Sequence, residues 1–284
     1  MSWLFAHLQY VLPKYWLTAL IYRIARIRHV GFKNFLITQF AKLYDVNLDE
    51  VRLDVPNDFE HFNAFFIREL KHDARPIATG TDTLVSPVDG TISQLGTLRK
   101  NSILQAKGID YALQDLLATD LDDATVYHDG SFATIYLAPY NYHRIHSPLA
   151  GDVVSASYVP GALFSVNAAT AQHVPGLFAR NERLIVRLDT AIGPVAVIMV
   201  GAMNVGSITT PWTGEIRPRA NGMVENCVLN DTPRNVAAGD LLGWFNMGST
   251  VVLLLPSAST TWDGQLEAGT VVRMGEALAA TTAK

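Results

Sequence analysis

The sequence predicts an α+β chain: a helical, amphipathic region over residues 1–75, then a β-rich, sandwich- or barrel-like body over residues 76–284. Three observations predict it. Apolar residues recur at helical spacing near the start, as in Leu17, Leu20, Ile21, Ile24 and Ile27. After residue 80, short β-prone runs alternate with Gly, Pro, Asn and Asp. A chain of 284 residues, 49% apolar and 17% charged, suffices for one large domain or one domain with a small appendage.

Residues 1–44 read as two or three helices, separated near Pro13 and Gly31. They hold Lys14, Arg23, Arg26, Arg28, Lys33 and Lys42 and no acid; the first acid is Asp45. The overall charge of −4 therefore hides a cationic start, because the remainder carries 16 basic and 26 acidic residues. A cationic amphipathic helix rich in Trp and Tyr suits the headgroup region of an anionic bilayer. The same pattern suits a helix packed on its own core with its arginines in water. No uninterrupted run approaches the roughly 20 apolar residues of a spanning helix. A signal peptide is not expected either, since Pro13-Lys14 breaks the apolar stretch and no small-residue cleavage site follows.

The segment "DVPNDFEHFNAFFIREL" (54–70) reads as a further helix with Phe59, Phe62, Phe65 and Phe66 on one face, ended by "KHDARPI". The runs "TLVSPVDGTISQLG", "SFATIYLAP", "GDVVSASYVPG", "RLIVRLDTAIGPVAVIMVG" and "STVVLLLP" read as strands, and "GIDYALQDLL" (108–117) as a helix inserted between them. The charge balance gives no reason to expect nucleic acid as a partner. Cys227 is the sole cysteine, which excludes an internal disulfide, a Cys-based metal site and a thiol pair, and favours a reducing compartment.

Three stretches carry reactive side chains. In "SPVDGTI", Asp89 is either ordinary hairpin punctuation or a working acid. In "APYNYHRIHSPLAG", His143 and His146 flank Arg144 beside Tyr142. Their spacing would put both rings on one side of a helical turn, but on opposite faces of a strand. As a metal pair they lack an obvious third ligand, so no metal is expected. In "FNMGSTVVLLLP", Gly248-Ser249 runs straight into an apolar strand. The step is either a bulge fitted to a packed sheet or a site of chemistry. Serine is a poor nucleophile without a base and a group to orient that base. Asp89, a histidine and Ser249 would form such a set. The G-x-S-x-G pattern of hydrolase elbows is missing around Ser249.

Taken in order, "FNAFFIREL" (62–70), "SPVDG" (86–90), "NYHRIHSP" (141–148), "PGALFSVN" (160–167), "HVPGLFARNER" (173–183) and "FNMGST" (245–250) resemble the phosphatidylserine decarboxylase family, in its prokaryotic, membrane-associated branch. The resemblance runs from about residue 55 to 256, and the cationic amphipathic start is similar too.

It implies a proenzyme that cuts itself between Gly248 and Ser249, leaving a β chain of residues 1–248 and an α chain of residues 249–284. Ser249 would become a covalent pyruvoyl group, the cofactor, which takes the substrate amine as a Schiff base. Asp89, His146 and Ser249 would form the charge relay for cleavage, and His143 would return a proton after decarboxylation. Phe164, Ser165 and Asn167 would line the substrate pocket; otherwise they form a tight turn. "FARNER" reads as a turn and a solvated strand start. The implied reaction turns phosphatidylserine into phosphatidylethanolamine, on the cytoplasmic side of a bacterial inner membrane, in a chain that is plausibly a homodimer. A diacyl lipid leaves the bilayer only at about 0.8 kcal/mol per exposed CH₂, which turns the reading of residues 1–44 toward the membrane surface. Two departures stand out. Met247 replaces the family's usual Leu at similar volume, for which little effect is expected. Asn141 replaces a common acid, which puts a catalytic role for that position in doubt.

Overall fold

The computed structural model describes residues 2–98, 102–106, 108–118 and 124–283. Helices α1 (Ser2–Leu8), α2 (Lys14–Ile24) and α3 (Val30–Leu43) form the N-terminal layer. Pro13 precedes α2, as the sequence predicts. The second break falls at residues 25–29, just before Gly31 as the sequence predicts, and α3 begins at Val30, where the His29 ring accepts the Phe32 N–H and caps it.

The helix expected over 54–70 shrinks to α4, Phe62–Phe66. Its first half folds back on itself. Asn57 Nδ2 donates to Asp54 Oδ2 at 2.7 Å, and the Asp54 N–H donates to Asp58 Oδ2 at 3.1 Å. Such short polar side chains offer the backbone an alternative to the helix. The expected apolar face survives, since Phe59, Phe62, Phe65 and Phe66 are all buried, with Ile37, Ala41, Val46 and Val51, in a second core cluster. "GIDYALQDLL" also divides. Ile109–Ala112 pairs with Ser102–Ala106 as a hairpin, and only Leu113–Leu117 is helical.

The body is built of strands, as predicted. Among the described residues the largest sheet has nine. Its middle runs Arg183–Thr190, Gly193–Val200, Thr250–Leu255, Ser131–Tyr136 and Gly90–Thr97, every neighbour antiparallel. Thr250–Leu255 is central and wholly buried, which is why it reads as an unbroken apolar run rather than an alternating one. A four-stranded sheet runs Gly214–Ile216, Ile208–Thr210, Leu241–Phe245 and Arg144–His146. Residues 246–249 carry the chain from the second sheet to the centre of the first, so the Gly248–Ser249 step lies at the crossing.

The N-terminal layer is bonded to the body. Gln9 Nε2 donates to Thr170 Oγ1 at 3.1 Å, Tyr15 OH to Gly161 O, and Arg26 pairs with Glu215 at 3.0 Å. Met247 packs against the phenylalanine cluster. Phe65→Ala should cost about 3–5 kcal/mol, read as a fall in the denaturant midpoint.

Candidate active site

Ser249 is fully buried at the entry to the central strand. Its carbonyl accepts the Leu137 N–H at 2.8 Å, and its Oγ donates to Val200 O. Both partners belong to the strand ends that flank position 250, since Thr250 pairs with Tyr136 and with Val200. The sheet register therefore fixes the serine from either side.

Gly248 forms part of the wall of a cavity of about 210 Å³. Phe40 and Tyr44 close it from α3 and the residue capping it, Phe66 from α4, and Ser165 and Asn167 from the loop opposite. The N-terminal layer thus supplies much of the wall of the space that reaches the Gly-Ser step.

His143 faces this step. Its Nδ1 lies 2.8 Å from Asn141 O. A carbonyl only accepts, so Nδ1 carries the proton and Nε2 is the bare acceptor. Nε2 is buried without a partner, 3.2 Å from where a Cβ on residue 248 would stand. Glycine is what allows the imidazole so close. Phe66 covers the ring, centroids 4.2 Å apart. Burial, then the Arg68 guanidinium, push the His143 pKa down to about 3, so the ring is neutral at physiological pH.

The expected Asp89–His146–Ser249 relay is not assembled. Asp89 Oδ1 accepts from Arg75 Nε at 2.8 Å and from the Met274 N–H at 2.9 Å, while Oδ2 pairs with Arg75 Nη2. Arg75 also holds Glu50 at 2.9 Å. His146 donates from Nδ1 to Gly239 O at 2.7 Å, and its Nε2 accepts from Tyr142 OH at 3.1 Å. It lines a separate cavity of about 530 Å³ with Arg75, Arg144 and Tyr142. Burial pushes its pKa down to about 4. His146 ends the strand Arg144–His146 and is bonded to Gly239 O and Tyr142 OH, whereas His143 lies just before that strand, with its Nε2 beside Gly248.

Of the pocket residues, Ser165 and Asn167 line the Gly248 cavity. Asn167 also caps a short helix by accepting the Thr170 N–H, and the Ser165 N–H donates to Gln9 Oε1. Phe164 turns away from the cavity, packs on Tyr10 with centroids 4.9 Å apart, and lies under Lys14. Asn141 acts through its backbone. Its carbonyl orients His143, while its side chain accepts the Ala138 N–H and holds the turn.

"FARNER" is solvated only at Arg180. Asn181, Glu182 and Arg183 are buried. Asn181 Oδ1 accepts the Phe164 N–H, and its Nδ2 donates to Phe164 O and Gly201 O, which ties the 160–167 loop to the segment after Val200. Arg183 donates to the carbonyls of Leu116, Ala179, Asn181 and Asp115. Burial pushes the Glu182 carboxyl up to about 7, with Tyr158 OH donating to it at 2.7 Å. The apolar residues before this segment gave no sign that its charges point inward.

Arg68 went unnoticed in the sequence. It is buried, donates to Tyr140 O at 2.9 Å, and is the cation nearest in effect to His143. Its place inside "FNAFFIREL", after a run of buried phenylalanines, was the available signal. Among the described residues no group of three or more His, Cys, Asp or Glu side chains is disposed to hold a metal ion.

Comparison with known proteins decides the family. The family model for phosphatidylserine decarboxylase matches residues 62–280. The chain belongs to the phosphatidylserine decarboxylase family. A second model, described only as PSD, matches residues 4–45. The chain is 45% identical over 278 residues to a phosphatidylserine decarboxylase proenzyme of Nitrosococcus oceani, covering 98% of this chain and 91% of the relative. It is 47% identical over 276 residues to the proenzyme of Psychrobacter arcticus, covering 97% and 98%. The proenzyme of Methylococcus capsulatus is 44% identical over 275 residues, covering 97% and 96%. Family membership makes the chain a decarboxylase.

The histidines carry a pH signature. His143 and His146 are neutral in the fold, whereas an unfolded chain protonates them below about pH 6.5. They leave stability unchanged above that value. They lower it as the pH falls toward about 3 and about 4, because the unfolded state then binds the extra protons. Denaturant unfolding of the Ser249→Ala chain should show lower stability at about pH 5 than at pH 7, and His143→Gln should flatten the loss.

Proposed function

We propose that this chain is a proenzyme that cuts itself between Gly248 and Ser249 and then decarboxylates phosphatidylserine to phosphatidylethanolamine at a membrane surface. The observation that carries the reading is the unpartnered, buried Nε2 of His143 beside Gly248, in the wall of a cavity shared by the N-terminal layer and the strand body.

For cleavage, the Ser249 hydroxyl turns from Val200 O toward the Gly248 carbonyl carbon, and Nε2 of His143 accepts its proton. The peptide C–N bond breaks as an ester C–O bond forms. Loss of the Ser249 α-proton releases the Gly248 carboxylate, and water displaces ammonia from residue 249. Those steps leave a pyruvoyl group at position 249. The site fits such a group: position 249 is buried, its carbonyl accepts the Leu137 N–H, and a bare nitrogen stands beside Gly248. Once formed, the group supplies the electron sink for loss of carbon dioxide. The protein's own residues do the rest. His143 moves a proton at the reacting centre, Phe66 excludes water, and Ser165 and Asn167 offer polar groups to a headgroup. His146, bonded to Tyr142 OH and Gly239 O, holds the 142–146 segment in place, while Asp89 is engaged by Arg75 and the Met274 N–H.

The N-terminal layer supports action on a lipid. Trp3 is 59% exposed, Val11 78%, Trp16 64%, Phe35 59% and Leu43 76%. Exposed apolar residues also occur in the strand body, as at Met223 and Val228, but those between residues 3 and 43 recur along one layer of successive helices and their linkers, the pattern of an interaction surface. Among the described residues no helix is long and apolar enough to cross a membrane; in this reading the helices would lie along its surface. Lys33 and Arg26 are engaged by Pro56 O and Glu215, whereas the Arg28–Glu60 pair lies exposed at the surface.

Intact-mass analysis tests cleavage: the native chain should yield the fragment of residues 249–284 with a blocked N-terminus, and Ser249→Ala should stay whole. His143→Ala should block cutting while His146→Gln should permit it; the reverse pattern would restore the Asp89–His146 relay. In sedimentation with anionic vesicles, Val11→Ser combined with Trp16→Ser should weaken binding by about tenfold or more, as expected for two lost apolar anchors.

A further inference from the structure

Residues 245–249 cross between sheets on few backbone contacts. The Phe245 N–H donates to His143 O at 3.1 Å and the Asn246 N–H to Ser207 O at 3.0 Å. The next anchor is Ser249 O on Leu137. Among the described residues, Met247 and Gly248 make no backbone–backbone hydrogen bond between these points.

The near anchor is fixed by a side chain. Asn246 Oδ1 accepts from Asn63 Nδ2 at 2.8 Å, and Asn246 Nδ2 donates to Ser207 Oγ at 2.7 Å and Thr209 Oγ1 at 3.0 Å. Both asparagines are buried. Because Ser207 Oγ gives its single proton to Glu215, it can only accept from Asn246, so a flipped amide would set two acceptors against each other there.

The end of α2 reaches this amide by two routes. The Asn63 N–H donates to the carbonyl of Ala25, the residue capping α2, at 2.9 Å. Ser207 Oγ donates to Glu215 Oε1, which pairs with Arg26. Neither asparagine contacts the scissile atoms, so neither is a catalytic group. Each sits where a small rotation would displace Gly248 relative to His143.

We propose that Asn246, gripped by Asn63, Ser207 and Thr209, is the positioning residue for the Gly248–Ser249 bond, and that its orientation is set by the docked end of α2. This rests on the self-cleavage reading above. A misplacement of this kind slows a reaction held at near-attack geometry without unfolding the protein.

The test is a cell-free synthesis of the full chain, with conversion to the fragment of residues 249–284 followed by intact mass. Thermal midpoints of the same variants in the Ser249→Ala chain report folding separately. Thr209→Val removes one acceptor at nearly constant shape and should slow cutting by about threefold; Asn63→Ala should slow it by about tenfold or more. Thr209→Ser, which returns the hydroxyl, should restore the native rate. If Asn63→Ala does not fold, the Thr209 pair decides. The proposal is overturned if folded Thr209→Val cuts at the native rate, or if Thr209→Ser is as slow as Thr209→Val. A native chain that never cuts overturns the self-cleavage reading, and this proposal with it. Native cutting with unaffected variants overturns this proposal alone.

Discussion

Burial is the constraint on which the site depends. His143 and Ser249 have no exposure, so backbone carbonyls rather than water decide where their protons point. Asn141 O takes the Nδ1 proton of His143, and Val200 O takes the hydroxyl proton of Ser249. An imidazole in water would sample both tautomers. Here one nitrogen is committed to the chain, and the other is left facing Gly248 as an acceptor. Arg68 acts in the same direction, since a buried cation nearby disfavours the imidazolium. The arrangement differs from a charge relay, in which an anion behind the ring stabilises the charged form.

Much of this was legible in the sequence. The α+β division, the start of α2 after Pro13, the buried phenylalanine face of 59–66 and the apolar strand after Ser249 follow from periodicity and turn residues. Elements that depend on partners outside their own segment were not. Strand Ile109–Ala112 forms because Ser102–Ala106, just upstream, pairs with it, which no pattern within "GIDYALQDLL" states. Gly248, Ser165 and Asn167, which share one cavity, and His143 beside Gly248 are residues the sequence singles out, but it does not say which histidine lies next to the Gly-Ser step. That choice depends on strand 144–146 pairing with 241–245. Asp89 looked free because its partner, Arg75, lies in an unremarkable "KHDARPI". Arg183 looked solvated because the four carbonyls that receive it come from other segments of the chain.

The helical layer and the strand body share their functional parts. Phe40 and Tyr44 from the first meet Gly248 and Asn167 from the second in one cavity, and Met247 inserts into the phenylalanine cluster. Helix α3, which walls the cavity through Phe40, also exposes Phe35 and Leu43.

The place of residue 249 in the sheet has a last consequence. Downstream of it, Thr250–Leu255 is zipped on both edges, to Ser131–Tyr136 and Gly193–Val200, and Ala277–Thr281 is laced to Thr83–Val85. Severing the chain ahead of such a strand frees no edge and exposes no core. The short piece stays captive as the keystone of the larger one, and the pair should melt together as a single cooperative unit. Once pulled apart, however, the two would have to rebuild the middle of a sheet from opposite sides, so a nicked molecule is durable yet hard to reassemble.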